Sequence, residues 1–200
     1  MAKESALFLR QFLRSPIATG AIAPSSRYLA AAVTTPIPER GDPVVVELGP
    51  GTGPFTAEIQ RRLGGRGRHI AIEINPLLAR HLAERHPEVE LVVDDAVKLP
   101  RLLADRDAPA ADVIVSGLPW AAFSAGTQIR LLRAVLGAMR PDGAFTTFSY
   151  VHAQALGPAI SFRQRLRGAF EEVVPGRTIW RNLPPAFVYH ARRPRPVPER

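Results

Sequence analysis

The segment VVVELGPGTGPF, residues 44–55, constrains this 200-residue chain more than any other stretch. Valines and a leucine around Glu47 read as a short buried strand, and Pro54 after the glycines reads as the first turn of a helix. Between them Gly49, Gly51 and Gly53 permit a tight turn whose backbone, without Cβ atoms, can approach a ligand. A strand, a glycine turn and a helix in that order open a βαβ unit, and that context makes a glycine-rich motif informative.

The alternation continues downstream. Strands are predicted at 69–74, 90–93, 112–116 and 144–150. The first is followed by Asn75-Pro76, an N-cap with a first-turn proline, opening a helix that ends before Pro87. Ile129, Leu132, Leu136 and Met139 mark another helix, stopped by Pro141-Asp142-Gly143. A helix near 157–168 and two apolar runs, 170–174 and 186–190, complete the pattern. It predicts an α/β, Rossmann-like fold: a seven-stranded, mostly parallel sheet with helices on both faces and a ligand beyond the carboxyl ends of the strands. The length suits one domain with a full core.

Upstream, residues 4–14 read as an amphipathic helix: Ala6, Phe8, Leu9, Phe12 and Leu13 share one arc, Lys3, Arg10 and Arg14 another, and Leu7 is out of place. Pro24-Ser25-Ser26 predicts a turn and N-cap for a helix at 27–33. The organisation expected is an amphipathic helix and lid at 1–40, a catalytic domain at 41–191 and a basic, proline-rich, disordered tail at 192–200. No stretch has the roughly 18 uninterrupted apolar residues of a membrane span, and the start does not read as a signal peptide. The net charge is +8 and there is no cysteine, which excludes disulfides, thiolate metal sites and thiol nucleophiles and suits a reducing cytoplasm. Basic against acidic residues number five to two in 1–40, twelve to thirteen in 41–160 and nine to three in 161–200. The excess lies at the ends, where it either meets an anionic partner or serves solubility.

Three acidic stations follow successive strands. Glu47 precedes a GxGxG turn rather than the GxGxxG of a dinucleotide site, and a carboxylate there suits a cationic ligand and repels a pyrophosphate. Glu73 ends the second strand, where a carboxylate can accept two ribose hydroxyls. Asp94-Asp95-Ala96 follows the third, where a carboxylate can accept an adenine amino group.

Together these motifs resemble those of class I S-adenosylmethionine-dependent methyltransferases. FLRQFLRSP and GAIAPSSRYLA near the start, SGLPW at 116–120 and NLPPAFVY at 182–189 extend the likeness over nearly the whole chain, which is similar to bacterial phospholipid N-methyltransferases acting on phosphatidylethanolamine. The resemblance implies S-adenosylmethionine as cofactor, S-adenosylhomocysteine as product and no metal. It places Glu47, Gly49, Pro50, Gly51, Thr52, Gly53, Glu73, Ile74, Asp95, Ala96 and Ser116 on the cofactor side. Ser25, Ser26, Arg27, Gly117, Leu118, Pro119 and Trp120 fall on the substrate side. Trp120 either holds a methylated ammonium by cation–π attraction at the pocket mouth or packs in the core.

More distantly the central motifs resemble ribosomal RNA adenine dimethylases. Those start the Leu-Pro-aromatic motif with Asn, Asp or Ser, whereas this chain has Gly117, and an adenine amine would lose a side-chain acceptor worth roughly 1–3 kcal/mol if buried unsatisfied. The reaction expected is in-line attack of a neutral amine on the activated methyl, helped by proximity. The proton goes to water, Tyr150, His152 or a nearby carboxylate. The helix at 4–14 is expected on an anionic membrane surface, making the protein cytoplasmic and peripheral at the inner face, as monomer or homodimer. RNA methylation, a small-molecule acceptor and a non-catalytic binding role are the alternatives.

Overall fold

A computed structural model describes residues 25–108 and 110–195; the amphipathic helix expected at 4–14 lies outside them. Among the described residues seven strands form one sheet: β1 (Val44–Leu48), β2 (Arg68–Glu73), β3 (Glu90–Val93), β4 (Ala111–Ser116), β5 (Met139–Tyr150), β6 (Phe170–Pro175) and β7 (Ala186–Pro194). Their order is β3-β2-β1-β4-β5-β7-β6. β1 to β5 pair in parallel, while β7 is antiparallel to both neighbours. The chain winds outward from β1 in both directions, so the point where strand order reverses, between β1 and β4, is where such a sheet offers a crevice.

Among the described residues six helices cover the sheet: α1 (Arg27–Val33), α2 (Pro54–Leu63), α3 (Pro76–Arg85), α4 (Leu99–Ala104), α5 (Ala125–Ala138) and α6 (Gly157–Ala169). Strand side chains alternate between faces. Val45, Val113 and Val115 meet α1 and α2 through Leu29, Val33, Phe55 and Ile59. Val44, Val46, Ile70, Ile72 and Ile114 pack with residues of α4, α5 and α6 in the largest core cluster.

Three expectations are corrected. The boundary at residue 40 does not divide the molecule, because α1 is part of the helix layer: Leu29, Ala30, Val33 and Ile37 are buried, and the Thr146 hydroxyl donates to the Val33 carbonyl at 2.7 Å. The disordered tail predicted from 192 does not begin there. β7 runs to Pro194, Arg192 pairs with Ala144 and Glu172, and the Arg195 amide donates to the Ala169 carbonyl at 2.9 Å; ladder bonds on both sides outweigh a basic, proline-rich composition. β5 also starts before Ala144: Met139 pairs with Ala111, and 140–143 bulge outward before Ala144 pairs with Val113. Helix α4 has no counterpart among the predicted elements, its LPRLLA being too short for a periodic signal.

Candidate functional site

Beyond the carboxyl ends of β1 to β4 lies a hollow partly open to solvent, where an open α/β sheet of this kind holds its ligand. Gly49, Ile72 and Ile74 form one side, Asp94, Asp95, Ala96 and Val97 a second, and Leu118, Phe123, Thr127 and Leu131 the third. The walls are apolar with carboxylates at one edge, suiting a flat heterocycle with polar rim atoms.

The glycine turn brings backbone to this hollow. Gly49 adopts φ +67°, and a Cβ there would stand 2.7 Å from Leu118 Cδ2, so turn and β4 loop touch only because the side chain is missing. The Gly49 amide donates to the Ile72 carbonyl at 2.9 Å and the Gly53 amide to the Pro50 carbonyl at 3.0 Å. Thr52 is exposed, and its carbonyl accepts from Arg85 at 3.2 Å.

Glu73 is 2% exposed and links two loops, its Oε2 accepting from the Gly51 amide at 3.1 Å and its Oε1 from the Asn75 amide at 2.9 Å. Burial pushes its carboxyl above the ordinary range; amides of Asn75, Gly51 and Ile74 oppose this, and the charge of Glu47 adds to it. Asp95 caps the turn at Ala96–Lys98, accepting from the Val97 amide at 3.0 Å. Lys98, donating to Asp94 at 2.7 Å, holds the Asp94 carboxyl below its usual range.

Glu47 is not at the hollow. Strand alternation turns it to the α2 face, fully buried. Its Oε2 accepts from the Thr56 hydroxyl at 2.7 Å and lies 3.2 Å from His69 Nε2 in a poorly aligned contact. Gln60 Nε2 sits 2.8 Å from His69 Nδ1; with the amide donating, the ring proton lies on Nε2, toward Glu47. The carboxylate thus ties β1 to the first turn of α2, where the helix dipole favours negative charge, and underpins the glycine turn from beneath.

Trp120 is corrected likewise. It is 2% exposed, stacked on Phe162 with centroids 4.7 Å apart and set edge-on to Phe145 at 5.9 Å. Of the two roles read for it, core packing is the one found. Its Nε1 donates to the Ser116 hydroxyl at 3.0 Å, which also accepts from the Leu118 amide at 3.3 Å, so Ser116 fixes the loop and does not border the hollow. Gln128, 1% exposed and absent from the sequence reading, donates to the Trp120 carbonyl at 2.7 Å and accepts from Arg165 at 2.8 Å. Phe123, Thr127 and Leu131, which line the hollow, carry no motif that marks them in the sequence.

Gly117 adjoins the hollow from β4, with no room for a side chain: a Cβ would lie 2.6 Å from the Gly49 carbonyl oxygen. Tyr150 and His152 stack at 5.6 Å at the end of β5 and do not border the hollow. Burial raises the Tyr150 phenol, so it stays protonated at neutral pH and is a poor proton acceptor. Ser26 caps α1, accepting from the Leu29 amide at 3.2 Å, and its own amide donates to Asn182 Oδ1 at 2.9 Å; Ser25 is half-buried and Arg27 exposed beside it. Among the described residues no helix is long and apolar enough to cross a membrane, and no His, Asp and Glu residues group as a metal-ligand set.

A family model described as a methyltransferase domain matches residues 45–143. An ornithine lipid N-methyltransferase of Singulisphaera acidiphila is 35% identical over 197 residues, 95% of this chain and 96% of that protein. The chain belongs to the class I S-adenosylmethionine-dependent methyltransferases. The structure of human methyltransferase-like protein 13 with S-adenosylhomocysteine shares the fold, with a TM-score of 0.63 at 16% identity, covering 83% of this chain and 81% of that one. A Burkholderia ribosomal RNA small subunit methyltransferase A is 39% identical over 77 residues, only 38% of this chain and 28% of that protein. The enzyme's hollow fits S-adenosylmethionine by its chemistry: apolar walls, carboxylates at one edge, and a glycine turn that closes on the β4 loop with no room for a Cβ at Gly49 or Gly117.

Proposed function

We propose that this methyltransferase acts on the amine of a lipid head group. The observation that carries the reading is the likeness to an ornithine lipid N-methyltransferase across 95% of the chain, both flanks of the cofactor core included. Gly117 supports it: a side chain able to accept an adenine amine cannot be accommodated where the Gly49 carbonyl stands 2.6 Å from a built Cβ. Likeness to the RNA enzyme, by contrast, covers 38% of the chain.

In this reading Glu73 would accept the ribose hydroxyls, Asp95 and the Ala96 amide would read the adenine, and Ile74, Val97 and Leu131 would supply its apolar walls. Bound S-adenosylmethionine supplies an activated methyl group. The loop of Gly117, Leu118 and Pro119, pinned by Ser116, Trp120 and Gln128, sets the distance of the acceptor amine and excludes water around it. Burial keeps the Tyr150 phenol protonated and removes it as the acceptor, so the amine proton goes to water, His152 or a nearby carboxylate. The enzyme works at the membrane surface from the cytoplasmic side.

Transfer of labelled methyl from S-adenosylmethionine is the test, with ornithine lipid, phosphatidylethanolamine and ribosomal RNA offered in parallel. Label in the organic-soluble lipid fraction is expected, and the two lipids rank the head groups. Label in RNA alone overturns the reading.

A further inference from the structure

The carboxyl edge of the sheet carries a second surface, outside the lining of the hollow. In the connection between β6 and β7, Trp180 is 75% and Leu183 67% exposed. A hydrogen-bonded turn holds them outward. Ile179 bridges Ala186, its amide donating at 2.7 Å, and the Asn182 amide donates to the Ile179 carbonyl at 3.2 Å. Between the two apolar residues Asn182, only 3% exposed, donates through Nδ2 to the Pro184 carbonyl at 2.7 Å and accepts from the Ser26 amide at 2.9 Å. A polar side chain is thus buried to shape the turn while a tryptophan and a leucine face solvent, an arrangement that marks an interaction surface.

The same turn gathers positive charge. Residues 176–185 contain Arg177 and Arg181 and no acid. The guanidiniums of Arg181 and Arg27 both donate to the Tyr28 hydroxyl, at 2.8 and 3.0 Å, and stand 5.1 and 4.9 Å from its ring centroid. Arg27, Arg177 and Arg181 form no ion pair with a carboxylate among the described residues. Two like charges held over one phenol are an incomplete arrangement that an anion completes. Tyr150 at the end of β5 pairs with Ala186, and the Val151 amide donates to the Pro185 carbonyl at 2.9 Å, so this surface lies on the sheet edge that bears the cofactor hollow.

We propose that residues 176–185 are a membrane-docking element: Trp180 and Leu183 enter the interfacial layer of an anionic bilayer while Arg27, Arg177 and Arg181 meet its phosphates. Tryptophan favours that layer, where its ring is apolar and its N–H is wet, and basic side chains near an anionic leaflet add attraction that salt screens. Docking there turns the mouth of the hollow toward the lipid surface. The proposal rests on the lipid reading of the site, and its test keeps the two apart.

Vesicles of phosphatidylcholine with 30% phosphatidylglycerol, roughly the charge density at which such attraction is measurable, are sedimented with full-length wild type, with Trp180→Ala/Leu183→Ser and with Arg177→Gln/Arg181→Gln. The first variant is expected to lose at least about tenfold in partitioning. The second is expected to lose about fivefold per arginine at low salt and to flatten the salt dependence. Trp120 is buried, so blue-shifted emission and quenching by brominated acyl chains report Trp180. Both variants keep S-adenosylhomocysteine binding and methylate the aminolipid in detergent micelles. Wild-type partitioning in both variants overturns the proposal, as does a shift from dimer to monomer in Trp180→Ala/Leu183→Ser, which makes the surface a contact between copies. Failure of the wild type to methylate any lipid, in vesicles or micelles, overturns the lipid reading instead.

Discussion

At the scale of single residues, Glu73 ties the glycine turn to the loop after β2, and under the proposed function it is also the ribose acceptor. Its raised carboxyl has a definite sign: a group whose folded-state pKa stands above its unfolded value adds stability below the unfolded value and loses it as pH rises through the folded one. Ionised Glu73 is therefore a cost to the free protein near neutrality, and under the proposed function the carboxylate that incurs it is the form that would accept ribose hydroxyls. Affinity for S-adenosylhomocysteine should fall as pH is lowered, beginning above the pH at which an ordinary glutamate titrates. Calorimetric titrations between pH 4.5 and 7.5, roughly the span set by normal and raised glutamates, check this, and an affinity flat across it contradicts the role. Gly117 makes a steric prediction: Gly117→Ala drives a Cβ into the Gly49 carbonyl and should cost about 1–3 kcal/mol, seen as a lower midpoint in urea and a sharp fall in kcat.

At the scale of elements, two contacts hold the loop and helix that frame the site. Trp120 stacks on Phe162 of α6 and anchors the β4 loop, so Trp120→Ala should destabilise by about 3–5 kcal/mol. Trp120→Phe, losing chiefly the bond to Ser116, should cost about 1 kcal/mol; a tryptophan serving only as a cation–π platform would show neither loss. Thr146 satisfies the last carbonyl of α1, one of the groups a helix end leaves open. Thr146→Val should cost about 1–3 kcal/mol and speed hydrogen exchange at 27–33 more than elsewhere. These contacts also show where sequence reading stops. The strand-turn-helix around Gly49 was legible because strand period, glycines and Pro54 agree locally. The face of β1 that Glu47 occupies was not, because it depends on the register of β1 against its neighbours, and the place of Trp120 depends on α6, about forty residues away. Helix α4 left no period to read, and the ladder that orders Arg192 to Pro194 is made with strands distant in sequence.

At the scale of the whole molecule, the α/β alternation was enough to give seven strands, and the structure adds their order and the antiparallel β7. The near-neutral centre carries the hollow, while basic residues from both ends meet at Tyr28, where Arg27 and Arg181 converge; a count along the chain shows the excess but not that meeting. A ligand binding only the folded state at a hundred times its Kd adds about 2.7 kcal/mol, so S-adenosylhomocysteine should raise Tm by about 5–10 °C for a domain of this size. The most direct test of the hollow as the cofactor site is calorimetry with S-adenosylhomocysteine on the wild type and on Ala96→Trp, a substitution at a half-buried wall position that fills the slot without cutting into the core. The account predicts one bound molecule per wild-type chain and no measurable heat from a variant that still melts within a few degrees of wild type. Binding of equal strength to both proteins would contradict it.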